Sequence, residues 1–191
     1  MCGIIGYTTR KNNSVEVALD GLKNLEYRGY DSAGIAFFDG EKIDIVKSKG
    51  KISNLESKLE KLNTDSCCAI AHTRWATHGE PNETNAHPHH VGKVTLVHNG
   101  IIENYSELKK ELIEKGYSFK TETDTEVATA YIDYCYSVYQ DKLRALIEAC
   151  KVFRGSYAFD VIYEDDPTTI YATRKDSPLV VGYAHDGNFA A

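Results

Sequence analysis

Strand-like apolar runs open and close this chain, its helical segments lie between them, and that order restricts the fold more than any other feature. Residues 2–8 form a short apolar run. Val15, Leu19, Leu22 and Leu25 then recur at helical spacing, which predicts a helix over 14–26 with Ser14 as its N-cap. Strands follow at 35–39 and 42–47, joined by a hairpin at Asp39-Gly40. Leu55, Leu59 and Leu62 mark a surface helix, and 67–73 reads as a strand buried on both sides. Residues 74–92 break into Gly, Pro, Asn, Thr and His, a long loop of the kind that carries function or lacks order. A strand at 93–98 ends in Asn99-Gly100. Helices at about 105–115, 125–139 and 142–152 precede strands at 156–163, 168–172 and 179–183. The pattern favours sheets packed face to face with helices outside, an α+β arrangement, over one doubly wound parallel sheet. No repeat or linker divides the 191 residues, which suit a single domain.

Composition removes several classes of function. The net charge is −6 and Lys/Arg clustering goes no further than residues 47–51, so no nucleic-acid partner is expected. No apolar run approaches the roughly twenty residues that span a bilayer, and the N-terminus lacks a signal-peptide pattern. The expectation is a cytoplasmic protein without a membrane partner. Five cysteines, at positions 2, 67, 68, 135 and 150, fit no disulfide framework and are expected to be reduced. Phosphate-cradling glycine motifs are absent from the sequence, and no cofactor is expected.

Four places can carry chemistry. Cys2 becomes the first residue once Met1 is trimmed, and its α-amine and thiol then titrate near working pH. One residue thereby supplies a nucleophile and its own base. By position alone, a small first residue of a strand is the commoner meaning. In the segment 71–79, Arg74 can grip a carboxylate through two parallel hydrogen bonds, and Trp75 can close over a site. A structural ion pair and a core anchor are the plainer readings. Asn99-Gly100 offers an amide and a backbone N–H as oxyanion donors, although this dipeptide more often makes a type I′ turn. Asp124 precedes a helix that Thr123, Asp124 or Thr125 caps, and its carboxylate can hold an ammonium. The histidines at 72, 78, 87, 89, 90 and 98 invite a metal reading. Pro88 interrupts their densest run and no H-E-x-x-H or Cys-x-x-Cys accompanies it, so loop structure or local hydrogen bonding is the better account.

The ordered motifs Cys2-Gly3-Ile4-Ile5-Gly6, Tyr27-Arg28-Gly29-Tyr30-Asp31-Ser32-Ala33-Gly34, His72 to Gly79, Asn85 to His89, His98 to Asn104 and Thr123 to Glu126 together resemble one family over the full chain. It is the glutaminase half of the glucosamine-6-phosphate synthases, which are class II glutamine amidotransferases. The resemblance implies a four-layer αββα sandwich of the N-terminal nucleophile hydrolase type. It further implies that Cys2 attacks the γ-amide of L-glutamine and that Asn99 and Gly100 hold the oxyanion. Arg74 would bind the α-carboxylate and Asp124 the α-ammonium. Thr77 and His78 would line the pocket, and Trp75 would gate ammonia.

The family's isomerase half, which binds fructose 6-phosphate, has no counterpart here. Residues 1–191 are expected to be a C-terminally truncated glutaminase domain with an exposed sheet edge and a possible homodimer. Two alternatives stand beside this: a non-catalytic glutamine-binding module if Met1 is retained, or an amidotransferase serving another acceptor.

Overall fold

Alternation along the first strand sets the layering. In β1 (Gly3–Thr9), Ile5 packs against helix α1 (Ser14–Leu25), while Ile4 turns to the opposite face. The computed structural model describes residues 2–28, 31–75 and 82–191, with Arg28 described by its backbone only. Met1, Gly29, Tyr30, Thr77 and His78 lie outside the described residues.

After α1 come β2 (Ser32–Phe38), β3 (Ile43–Lys49), α2 (Ile52–Leu59) and β4 (Cys68–Arg74). The second half comprises β5 (His89–Val91), β6 (Val94–Ile102), α3 (Tyr105–Glu114), α4 (Asp124–Tyr139) and α5 (Lys142–Val152). The strands β7 (Gly155–Tyr163), β8 (Asp166–Lys175), β9 (Val181–Tyr183) and β10 (Gly187–Ala190) follow. One sheet has the order β3-β2-β4-β1-β10-β9 and the other β5-β6-β7-β8, and their strand pairs are antiparallel.

Each sheet is covered on both faces. Val15, Ala18, Leu19 and Leu22 of α1, with Ile52, Leu55 and Leu59 of α2, pack on the outer face of the first sheet. On the second, Val127, Tyr131 and Cys135 of α4 pack with Leu108, Leu112 and Leu146 of α3 and α5 against Val94, Leu96 and Phe159. Between the sheets lie Ile4, Ala36, Cys68, Ile70, Val97, Ala158 and Ile162. Helix, sheet, sheet and helix make four layers. β2 and β4, central and covered on both sides, are buried almost throughout, which explains their unbroken apolar sequence.

Three local readings change. Asn99-Gly100 is not a turn: β6 runs through it to Ile102, because Gly100, Ile101 and Ile102 pair with Tyr157, Ser156 and Gly155 of β7. Ser14 is the first residue of α1 and Asn13 the N-cap; the Ser14 hydroxyl is buried without a hydrogen-bond partner among the described residues. The chain's last segment adds a strand, β10, which forms a short hairpin with β9 and pairs across the fold with β1.

Asp160 is the anomaly of the core. It shares the inter-sheet face of β7 with Ala158 and Ile162, is fully buried, and neither carboxyl oxygen has a hydrogen-bond partner among the described residues. Gly6 faces it, and a Cβ there would come within 2.6 Å of Asp160 Oδ2. Burial pushes the Asp160 carboxyl up to about 8, so the folded chain keeps a proton that the unfolded chain releases near its ordinary 3.8. Stability from this group is therefore full below pH 3.8 and is lost as pH rises through about 8. The expected slope is about 1.4 kcal/mol per pH unit. Asp160→Asn should flatten the decline, so its melting temperature gains on the unaltered protein from pH 6 to pH 9. Melting curves that stay parallel across that range would count against this assignment.

Candidate active site

Cys2 stands one residue before β1 on the same side as Ile4, the side that faces the second sheet. The register Gly3↔Thr73 and Ile4↔His72 brings it beside the end of β4. There the Trp75 backbone N–H donates to Cys2 Sγ at 3.3 Å, and the Trp75 carbonyl oxygen lies 3.6 Å from the same sulfur. Cys68 and Ile70 of β4 point into the inter-sheet core, so His72 and Arg74, two and four residues on from Ile70, point the same way. Arg74 is buried at the strand's end.

The second sheet supplies the facing wall. Val97 belongs to the inter-sheet core, and alternation carries Asn99 to that face as well. Asn99 Nδ2 donates to the Cys2 carbonyl at 3.4 Å, and Asn99 Oδ1 lies 3.0 Å from His72 Nε2. Gly100 has φ +133°, and a side chain there would collide with the Ser156 backbone carbonyl, so glycine is required. Asp124 opens α4, where Thr123 Oγ1 caps the helix by accepting from the Glu126 N–H at 3.2 Å. One Asp124 oxygen accepts the Ile102 N–H at 2.8 Å, tying helix to strand.

These groups surround one cavity of about 280 Å³, with Cys2, Arg74, Trp75, Gly100 and Asp124 in its walls and Ile101 and Tyr105 beside them. Burial draws the Arg74 guanidinium below its ordinary value, opposed by the nearby carboxylates of Asp124 and Asp31. A cation and an anion on the walls of one small cavity suit a zwitterion, and the thiol lies within reach of whatever the pair holds. The other cysteines differ: Cys68 and Cys135 are buried and burial raises both thiols, Cys135 to about 11. Cys67 and Cys150 are half-buried and form no disulfide.

Of the residues singled out from sequence, Cys2, Arg74, Trp75, Gly100 and Asp124 meet at this cavity, and Asn99 stands beside it, bonded to the Cys2 carbonyl. His72, His87 and His98 make local hydrogen bonds, as expected of these histidines, but sequence reasoning missed that they lie behind these groups and reach the cavity wall. Period two on β4 was the available signal, since it sets His72 and Arg74 on one face. Together with His89 they form a buried imidazole cluster. His72 and His87 stack at 4.1 Å between ring centres, and Thr125 Oγ1 lies 3.0 Å from His98 Nδ1 and 3.3 Å from His87 Nε2. Burial lowers all four rings, His72 to about 3 and His98 to about 4. Among the described residues, no group of three or more His, Cys, Asp or Glu is placed to hold a metal ion.

Comparison with known proteins gives a consistent result. A family model described as a glutamine amidotransferase domain matches residues 72–191. Glutamine--fructose-6-phosphate aminotransferase (isomerizing) of Clostridium acetobutylicum is 50% identical over the whole of this chain, which covers 31% of that protein. Its counterpart in Thermococcus kodakarensis is 48% identical, with 32% covered. The chain thus spans about a third of the length of these curated relatives. Among solved structures, glutamine phosphoribosylpyrophosphate amidotransferase from B. subtilis superposes with a TM-score of 0.83 at 26% identity, covering 100% of this chain and 41% of that one. A structure described as the allosteric regulatory enzyme of purine biosynthesis gives 0.85 at 27%, with the same coverage.

Proposed function

The chain belongs to the glutamine amidotransferase domain family, and from that membership we propose that it hydrolyses the side-chain amide of L-glutamine through a thioester on Cys2. Its αββα sandwich is of the N-terminal nucleophile type. The observation that carries the reading is the single cavity shared by the Cys2 thiol and the opposed charges of Arg74 and Asp124.

With Met1 removed, the thiol passes its proton to the Cys2 α-amine and the sulfur attacks the amide carbon. Asn99 Nδ2–H and the Gly100 N–H donate to the oxyanion. The C–N bond breaks as nitrogen takes up the proton and leaves as ammonia. Water then cleaves the thioester to release glutamate. Arg74 pairs with the α-carboxylate and Asp124 with the α-ammonium, which selects an amino acid over a bare amide. Thr77 and His78 complete the lining in this reading, and Trp75, 46% exposed at the cavity mouth, gates ammonia. In a longer protein like the relatives, residues 1–191 serve as the glutaminase domain, and the ammonia aminates fructose 6-phosphate held by a separate sugar-phosphate region.

Among the described residues no helix is long and apolar enough to cross a membrane, and the reading places the protein in the cytoplasm. The edge strand β9, with Val181 and Tyr183 exposed, is the face through which a homodimer would pair.

Glutamate release from L-glutamine by protein whose intact mass shows Cys2 as first residue is the direct test. In that assay Arg74→Ala should raise KM about a hundredfold through loss of a charged pair. Alkylation of Cys2 by a small thiol reagent should change little. Equal losses in both would mean a damaged fold and remove the carboxylate role.

A further inference from the structure

The Asn99 carboxamide can sit in either of two orientations, and only one presents an N–H to Cys2. The other would set Oδ1 against the Cys2 carbonyl, 3.4 Å from where Nδ2 now lies, and would offer the reacting amide a lone pair instead of a donor. Something must select between them, and the side chain in contact is His72, with Nε2 at 3.0 Å from Asn99 Oδ1. The ring is 1% exposed, and its other nitrogen, Nδ1, is buried without a hydrogen-bond partner among the described residues.

Burial brings the His72 pKa down to about 3, so the ring is neutral at working pH and has one N–H to give. On Nδ1 that hydrogen would have only the His98 backbone near it and no hydrogen bond of good geometry among the described residues. On Nε2 it meets Asn99 Oδ1. The ring cannot easily rotate, because His87 stacks on it at 4.1 Å. His87 is itself fixed: its Nδ1 accepts the His98 backbone N–H at 3.2 Å, which leaves Nε2–H for Thr125 Oγ1 at 3.3 Å.

We propose that His72 is a positioning residue for amide hydrolysis: its Nε2–H holds Asn99 Oδ1 and thereby keeps Asn99 Nδ2 turned toward Cys2, where it donates to the Cys2 carbonyl and is available to the oxyanion. This rests on the glutaminase reading above and deepens it. His72 reaches the cavity wall but acts here through Asn99, and the charged groups that hold the amino acid are Arg74 and Asp124, so its removal acts mainly on turnover.

The test uses Met1-trimmed protein. His72→Leu is expected to lower kcat between tenfold and a hundredfold, with KM for glutamine within about threefold and Cys2 alkylation unchanged. His72→Gln, whose amide N–H can replace the imidazole donor, should recover most of the loss. In an Asn99→Ala background, His72→Leu should remove little more, since nothing is left to orient. If Asn99→Ala keeps full kcat, the oxyanion reading fails and the proposal falls with it. If Asn99→Ala loses rate but the two losses multiply, or His72→Leu changes only KM, the proposal is overturned and the glutaminase reading stands. Should His72→Leu fail to fold, nitrogen NMR of the unaltered protein decides: the Nε2–H tautomer supports the proposal, and Nδ1–H overturns it.

Discussion

Alanine at Cys2 is expected to reduce glutamate release by about 10⁴-fold or more while glutamine still binds. The substitution removes the sulfur that forms the thioester and leaves both charged groups that hold the amino acid, Arg74 and Asp124, in place. Neither Cys68 nor Cys135 can substitute, because both are buried and their thiols are held above the ordinary range. Calorimetric binding of glutamine together with a glutamate assay separates the two effects. Turnover within tenfold of the unaltered protein would end the covalent mechanism. Protein that keeps Met1 should show a comparable loss with its thiol intact, since the free amine then belongs to another residue.

Gly100→Ala is the second large effect, with kcat expected to fall about 10²–10³-fold, the loss typical of one oxyanion donor. Two penalties coincide there. The backbone has φ +133°, which a side chain resists, and the new methyl would run into the Ser156 carbonyl on β7. Relief requires β6 to move away from β7, and that carries the Gly100 N–H and the Asn99 amide with it. Gly40→Ala is the control: its φ is +104°, but nothing lies within 4 Å of the added methyl. Both variants should melt earlier, by an amount corresponding to about 1–3 kcal/mol of backbone strain. Only Gly100→Ala should lose turnover. Equal activity in the two would show that the Gly100 backbone plays no part in the chemistry.

Local rules read the helices well because their apolar spacing is strong: Val15, Leu19 and Leu22 recur at the period of the helix they form, and all three are buried. They also singled out Cys2, Arg74 and Asp124, which the fold brings to the walls of one cavity, although position alone favoured plainer readings of Cys2 and the ordered motifs together gave these residues their weight. They misled at Asn99-Gly100, where the dipeptide's turn preference yields to nine residues of pairing between β6 and β7. β10 was missed because it is only four residues long and, although a local hairpin joins it to β9, its pairing with Gly6 to Thr9 of β1 is tertiary. The imidazole cluster was legible only as scattered histidines. Its members come from β4, β5, β6 and the segment before β5, and no sequence interval encodes their stacking.

The contact that Trp75 makes with the Cys2 sulfur runs through its main chain, N–H at 3.3 Å and carbonyl at 3.6 Å, while its side chain is half exposed. Any residue placed at 75 inherits that contact, because every residue except proline carries the same two groups. The indole is therefore released from guarding the nucleophile. Mutation can explore that position, and with it the traffic at the cavity mouth, without disturbing the thiol beneath.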